Sequence, residues 1–241
     1  MKSRECEILT RGGWTLVEQS TSDGHGCNVE LVRHDSYQNE FILLFDGKVM
    51  MDTSDYRSEK ALSTVCFEKF KLSRDPHILI GGLGFGFTLE QVLLEAGSTS
   101  EVTVAELSSE IISWNQKYTP HLSNNCLEDS RVTVYNGDVL DLVTNSDKQW
   151  DIILLDVDNG TLQQLLSQNS SVYNTQGLSD FCQSLGNDGV LGVWSSGEDL
   201  QLLDNLVNAG LQVEVVNFMK EIRCKYIKGV YGPHIYVGTK S

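Results

Sequence analysis

Three glycines and a set of acids at strand ends are where this chain can do chemistry. Gly82, Gly84 and Gly86 make the turn Gly82-Leu83-Gly84-Phe85-Gly86, directly after the apolar run Ile78-Leu79-Ile80. Glycines at such a turn let backbone lie against a ligand where a Cβ would intrude. Glu106 ends a second apolar run, Val102-Thr103-Val104-Ala105. Asp138 follows a third run, within Asn136-Gly137-Asp138, and Asp156 ends a fourth, Ile152-Ile153-Leu154-Leu155. An acid after the second strand is placed for ribose hydroxyls, and one after the third for the amino group of an adenine. Asp156 falls in the crevice where open α/β sheets take their ligands. Each acid alone reads equally well as a helix cap or a solvated loop carboxylate. In order at successive strand ends, together with the turn, they describe a nucleoside site.

A dinucleotide fingerprint needs a third glycine where this chain has Phe87. The G-x-G-x-G present suits enzymes of S-adenosylmethionine (SAM), which have no pyrophosphate to seat. A sulfonium is already an activated leaving group, so the protein mainly positions an uncharged nucleophile beside the carbon. An amine, with a solution pKa of about 10, must first lose a proton. Asp156 and Asp158 are the candidate acceptors for that proton. Asp158 reads equally as a turn or capping residue, since Asn159-Gly160 follows it. The histidines His25, His34, His77, His121 and His234 have no metal-ligand spacing, so no metal is expected.

These residues need an alternating framework to bring them together. Up to about residue 70 the pattern is β-like, with short strands at Trp14–Val17, Asn28–Arg33, Phe41–Phe45 and Val49–Met51. Asp46-Gly47 predicts a two-residue hairpin turn. A helix is expected from Asp55 to about Phe70, with Ala61, Leu62, Val65 and Cys66 on one face. Arg74-Asp75-Pro76 marks a boundary between a β-hairpin domain with its linking helix, 1–74, and a second domain, 75–241. Strands at 77–81, 101–105, 131–135, 150–155, 189–194, 212–218 and 234–239 alternate with helical stretches. This predicts an α/β, doubly wound, Rossmann-like sheet, the fold class of the class I SAM methyltransferases. The polar stretch Thr161 to Asn174 is either a cover over the site or a plain surface connection. Trp194 lines an acceptor pocket or packs in the core, and Tyr231-Gly232-Pro233-His234 is the turn into an antiparallel last strand.

A net charge of -15 argues against nucleic acid as a partner and is compatible with a cationic substrate. The six cysteines form no C-x-x-C pair, which fits free thiols in a reducing compartment. No apolar run approaches the roughly 20 residues that span a bilayer, and the first residues lack a signal-peptide pattern. The expectation is therefore a cytoplasmic protein with no membrane partner.

The chain resembles the spermidine synthase family, from about Asp35 to about Trp194. The pieces are Asp35-Ser36-Tyr37-Gln38, Asp46-Gly47, the glycine turn, Ala105-Glu106-Leu107, Asn136-Gly137-Asp138 and Asp151 to Asp156. The resemblance implies that Gln38 contacts the methionine end of the cofactor, Glu106 the ribose and Asp138 the adenine, with Asp156 where the amine arrives. It also implies a homo-oligomer associating through the N-terminal domain. Aminopropyltransferases carry an Asp in the glycine turn that holds the amine of decarboxylated SAM; aligned through the glycines, that place is Phe85. Their Asp-Ser-Ser/Thr-Asp run is here Asp156-Val157-Asp158-Asn159, and their Tyr at the start of the following helix has no match in Asp55-Tyr56-Arg57-Ser58-Glu59. Loss of the turn Asp leaves ordinary SAM acceptable, unless Phe85 simply packs on the helix below it. Methyl transfer to an amine acceptor is thus the leading expectation. Aminopropyl transfer from decarboxylated SAM to a polyamine is the alternative, and a non-catalytic SAM- or polyamine-binding module is the second.

Overall fold

The computed structural model of the protein describes residues 12–22, 26–71, 75–157, 170–217 and 232–240. Asp158, most of the polar stretch from Thr161, and Tyr231 lie outside these residues. Four strands come first: β1 (Trp14–Ser22), β2 (Cys27–His34), β3 (Phe41–Phe45) and β4 (Lys48–Asp52). They pair antiparallel in sequence order. Asp46 and Gly47 both take positive φ (47° and 74°), the two-residue turn their types demand between twisted strands.

In the β3–β4 pair, Leu44 faces Val49 and Leu43 faces Met51, so Met50 is an extra residue in the ladder. A bulge of this kind breaks the alternation of side chains along a strand. Met50 and Met51, adjacent in sequence, consequently reach the same cavity.

A helix, α1 (Arg57–Lys69), leads into the larger sheet. It buries Leu62 and Cys66 fully and leaves Ala61 and Val65 partly covered, the apolar face expected of it. It packs against the next helix and the central strand β9. The larger sheet comprises β5 (His77–Gly81), β6 (Glu101–Glu106), β7 (Val132–Asn136), β8 (Trp150–Leu155), β9 (Leu185–Ser195), β10 (Gln212–Asn217) and β11 (His234–Thr239). Their spatial order is β10-β11-β9-β8-β5-β6-β7. The strands from β9 through β7 run parallel, and β11 is antiparallel to both of its neighbours.

Helices α2 (Phe87–Glu95), α3 (Ser109–Lys117), α4 (Val139–Thr144), α5 (Ser170–Tyr173), α6 (Thr175–Ser184) and α7 (Leu200–Asn208) are the remaining α-helices of the described residues. This is the α/β architecture expected, a mostly parallel sheet with a smaller antiparallel sheet before it. One apolar cluster joins the two sheets: Val29, Leu31, Leu43 and Phe45 pack in it with Leu62, Ile78, Ile80 and Ile152. Strand order reverses between β5 and β8, so the ends of these neighbouring strands diverge into a crevice. The described cysteines Cys27, Cys66, Cys126 and Cys182 are buried free thiols. No described helix is long and apolar enough to cross a membrane.

Candidate active site

The crevice is built on the glycine turn. Gly82 Nα donates to Ala105 O at 2.9 Å, and Asp156 Nα donates to Gly81 O at 2.8 Å, which closes the turn onto both flanking strands. A Cβ on Gly82 would lie 2.3 Å from the Asp156 carbonyl oxygen, and its φ of +92° is one that side-chain-bearing residues rarely adopt. A Cβ on Gly84 would meet Met51 Sδ at 2.7 Å. Gly84 lines the crevice, whereas Gly86 does not: it precedes α2 and makes room for Ser123 and Cys126.

Two adjoining cavities share Met50, Gly84, Asp156 and Val157. The first, about 510 Å³ including its open mouth, is also lined by Gly82, Ala105, Glu106, Gly137 and Asp138. Glu106 is buried, with Oε2 accepting from Leu83 Nα at 2.9 Å and Oε1 from Ser108 Nα at 2.8 Å. Burial pushes its carboxyl above the ordinary range, and the backbone donors of Ser108, Leu83 and Leu107 partly offset this. Asp138 lines the same cavity while its Oδ1 caps α4, accepting from Leu140 Nα at 2.8 Å. The capping and ligand-facing readings of this residue therefore coexist.

The second cavity, about 530 Å³, lies under the N-terminal sheet and holds Glu59, Leu83, Phe87, Thr88 and Trp194 beside the shared residues. Asp156 Oδ2 accepts from Thr88 Oγ1 at 2.7 Å. Burial raises both the Asp156 and the Glu59 carboxyl, and the Asp156 charge raises Glu59 further. No cationic side chain lines either cavity among the described residues. Nor do the described residues contain a group of three His, Cys, Asp or Glu able to hold a metal ion.

Two further residues singled out in the sequence lie apart from the cavities. Gln38 is exposed in the β2–β3 turn and lines neither cavity. That turn closes on itself through Glu40 Nα donating to Tyr37 O at 3.1 Å, and the Tyr37 ring packs back on His34 at a tilt, so its tip stays in solvent. Met50 and Met51 stand over the crevice instead. Phe85 is 1% exposed and packs in the core near Phe87, so its side chain does not bear on the methionine end of a cofactor. The turn residue that faces the cavity is Gly84. Trp194 does line the second cavity. Sequence reading missed Glu59, Met50 and Met51, which arrive through packing of the N-terminal half; the bulge that aims the methionines leaves no mark in the sequence.

A family model described as the spermine/spermidine synthase domain matches residues 63–221, well over half of the chain. The chain belongs to the spermine/spermidine synthase family. The polyamine aminopropyltransferase of Clostridium tetani is 27% identical over 143 residues, covering 59% of this chain and 48% of that protein. That of Bacillus subtilis is 26% identical over 156 residues, covering 64% and 53%. The chain thus spans about half the length of these curated relatives. The spermidine synthase structure from Thermotoga maritima superposes with a TM-score of 0.68 at 16% identity, covering 94% of this chain and 73% of that one. At that identity the likeness concerns the spermine/spermidine synthase fold.

Proposed function

We propose that this protein transfers an aminopropyl group from decarboxylated SAM to an aliphatic amine, a diamine or polyamine. The observation that carries the reading is the pair of joined cavities: one lined by the glycine turn, Glu106 and Asp138, the other lined by Glu59 and Asp156 with no cation among the described lining residues. In this reading the Glu106 carboxylate, held by two backbone donors, receives the ribose hydroxyls, and Asp138 meets the adenine. Gly82 and Gly84 keep the floor thin enough for the sulfonium to cross from one cavity to the other.

Past the sulfonium, intact SAM carries an α-carboxylate as well as an ammonium, whereas the decarboxylated form carries the ammonium alone. A carboxylate brought beside Asp156 and Glu59 is repelled, and an ammonium is attracted. This favours aminopropyl over methyl transfer, as do the names of the two curated relatives. Phe85 faces the core and the turn holds no acid, so the glycine turn itself does not separate the two donors.

In the reaction, Asp156 accepts a proton from the incoming ammonium, leaving a neutral amine in line with the propyl carbon. The amine nitrogen forms a bond to that carbon as the carbon–sulfur bond breaks, and methylthioadenosine leaves with the electron pair on sulfur. A carboxyl already raised by burial is better matched to this transfer than an ordinary aspartate. Incubation with 1,4-diaminobutane and either decarboxylated SAM or SAM, followed by chromatography, tests the reading. Methylthioadenosine from the decarboxylated donor is expected. S-adenosylhomocysteine from SAM would replace aminopropyl by methyl transfer, and neither product would contradict both.

A further inference from the structure

Thr88 lies in the first turn of α2, two residues past Gly86, and is 3% exposed. A threonine in a helix commonly bonds its hydroxyl to a carbonyl three or four residues back on its own chain. For Thr88 those are Phe85 O and Gly84 O, and neither is its partner. Asn115 Nδ2, from α3, donates to Gly84 O at 2.7 Å instead. The Thr88 hydroxyl reaches across to the end of β8 and donates to Asp156 Oδ2 at 2.7 Å. Glu59 O, 3.4 Å away, is a distant second acceptor, and a hydroxyl has one proton to give.

The main chain of Asp156 is fixed without Thr88. Its Nα donates to Gly81 O at 2.8 Å, and its carbonyl oxygen stands against Gly82, where a Cβ would come within 2.3 Å. The side chain is a separate matter, and Thr88 is the one described residue that bonds it. Oδ1 has no partner among the described residues, in a side chain that lines both cavities. Packing alone requires no hydroxyl at a place as buried as Thr88.

Charged neighbours do not orient the carboxylate either. On α1, Glu59 carries like charge, and Lys60 is held by Glu90 of α2 at 2.8 Å. Glu106 of β6 and Asp138, the cap of α4, bring further acids to the first cavity. The glycine turn has no titratable group, and β4 and β9 contribute Met50, Met51 and Trp194, which do not titrate. Burial pushes the Asp156 carboxyl up to about 6, and the Thr88 hydrogen bond opposes that rise.

We infer that Thr88 is a positioning residue for the transfer: by fixing Oδ2 of Asp156, it makes Oδ1 the oxygen that takes the proton of the incoming ammonium. The inference rests on the reading of Asp156 as proton acceptor and adds the residue that orients it and keeps it ionised. In that step an N–H bond of the ammonium breaks and an O–H bond forms at Oδ1. The electron pair stays on nitrogen for the attack on carbon. A donor bonded to a carboxyl oxygen favours the ionised form, so Asp156 holds its charge to a lower pH with Thr88 than without it.

The pH dependence of kcat for methylthioadenosine formation from decarboxylated SAM and 1,4-diaminobutane tests this in wild type, Thr88→Val and Thr88→Ser. Activity is expected to rise with pH as Asp156 ionises. In Thr88→Val the midpoint of this acid limb is expected about one pH unit higher, with kcat at pH 6 about tenfold lower. KM for decarboxylated SAM stays within about threefold, and Thr88→Ser, which keeps the hydroxyl, keeps the limb of wild type. An unmoved limb in Thr88→Val, a loss equal at every pH, or a Thr88→Ser limb that moves with it overturns the inference. Should Thr88→Val not fold, the wild-type hydroxyl proton decides. Slow exchange with water is expected in NMR of protein carrying isotope-labelled threonine, and free exchange overturns the inference. Wild-type protein that forms no methylthioadenosine removes the underlying reading of Asp156, and the inference with it.

Discussion

In the proposed reading, nucleoside recognition turns on Glu106. Both its oxygens are fixed by main-chain donors from two different loops, Leu83 and Ser108, so the carboxylate is oriented before any ligand arrives. Hydrogen bonds to a charged group contribute about 1.5–3 kcal/mol each, and a ribose offers two hydroxyls. Glu106→Ala is therefore expected to weaken methylthioadenosine binding by about a hundredfold or more, measured by calorimetry. A change under about threefold would remove the ribose assignment. Residues of this kind were legible in the sequence because each sits within a step or two of the strand that carries it: the glycine turn, Glu106, Asp138 and Asp156 are all local consequences of β5 to β8. Glu59, Met50 and Met51 were not, since only tertiary packing brings α1 and β4 over the crevice. For Phe85 the packing alternative is the one the structure shows. Spacing places a residue in a turn, but which turn residue faces the ligand depends on backbone dihedrals that spacing does not encode.

Among the elements, α1 decides the second cavity, and Gly192 decides how closely α1 lies on the sheet. A Cβ at position 192 would stand 2.3 Å from Cys66 Sγ and 2.9 Å from Leu62 Cδ1, the two residues by which α1 is anchored. Overpacking of this kind costs about 1–3 kcal/mol. Gly192→Ala is expected to lower the thermal midpoint and to weaken diamine binding through displacement of Glu59, while methylthioadenosine binding in the first cavity changes little. An unchanged thermal midpoint would show that α1 is not seated as described. Sequence reading found this helix, its apolar face and the hairpin turn before it, because 3.6-residue spacing and an Asp-Gly pair are local signals. The bulge at Met50 and the close approach at Gly192 are not local, since each is set by the strand or helix opposite.

At the scale of the whole molecule, the acidic cavity should appear in the pH dependence of stability. Burial, and then the Asp156 charge, push the Glu59 carboxyl from an ordinary 4.5 up to about 7. A carboxyl that holds its proton more tightly folded than unfolded makes the folded state take up protons in that interval. Its stabilisation is complete below about pH 4.5 and is lost as pH rises through about 7. Glu59→Gln removes this share, on the order of 3 kcal/mol. In the absence of ligand the variant is expected to exceed wild type in thermal midpoint at pH 8, with the difference vanishing at pH 5. A wild type more stable than the variant at pH 8 would contradict an uncompensated charge at this position. In the proposed reading, the ammonium that enters the second cavity also stabilises the fold, by mass action.

The most direct test of the central claim is the relative affinity of decarboxylated SAM and SAM, measured by calorimetry at pH 7.5 on the same preparation. The two ligands share adenosine and sulfonium and differ in the one carboxylate that would face Glu59 and Asp156. The decarboxylated form is expected to bind at least about tenfold more tightly. Equal affinity, or tighter binding of SAM, would contradict the account of the second cavity as a cation site and the aminopropyl transfer proposed from it.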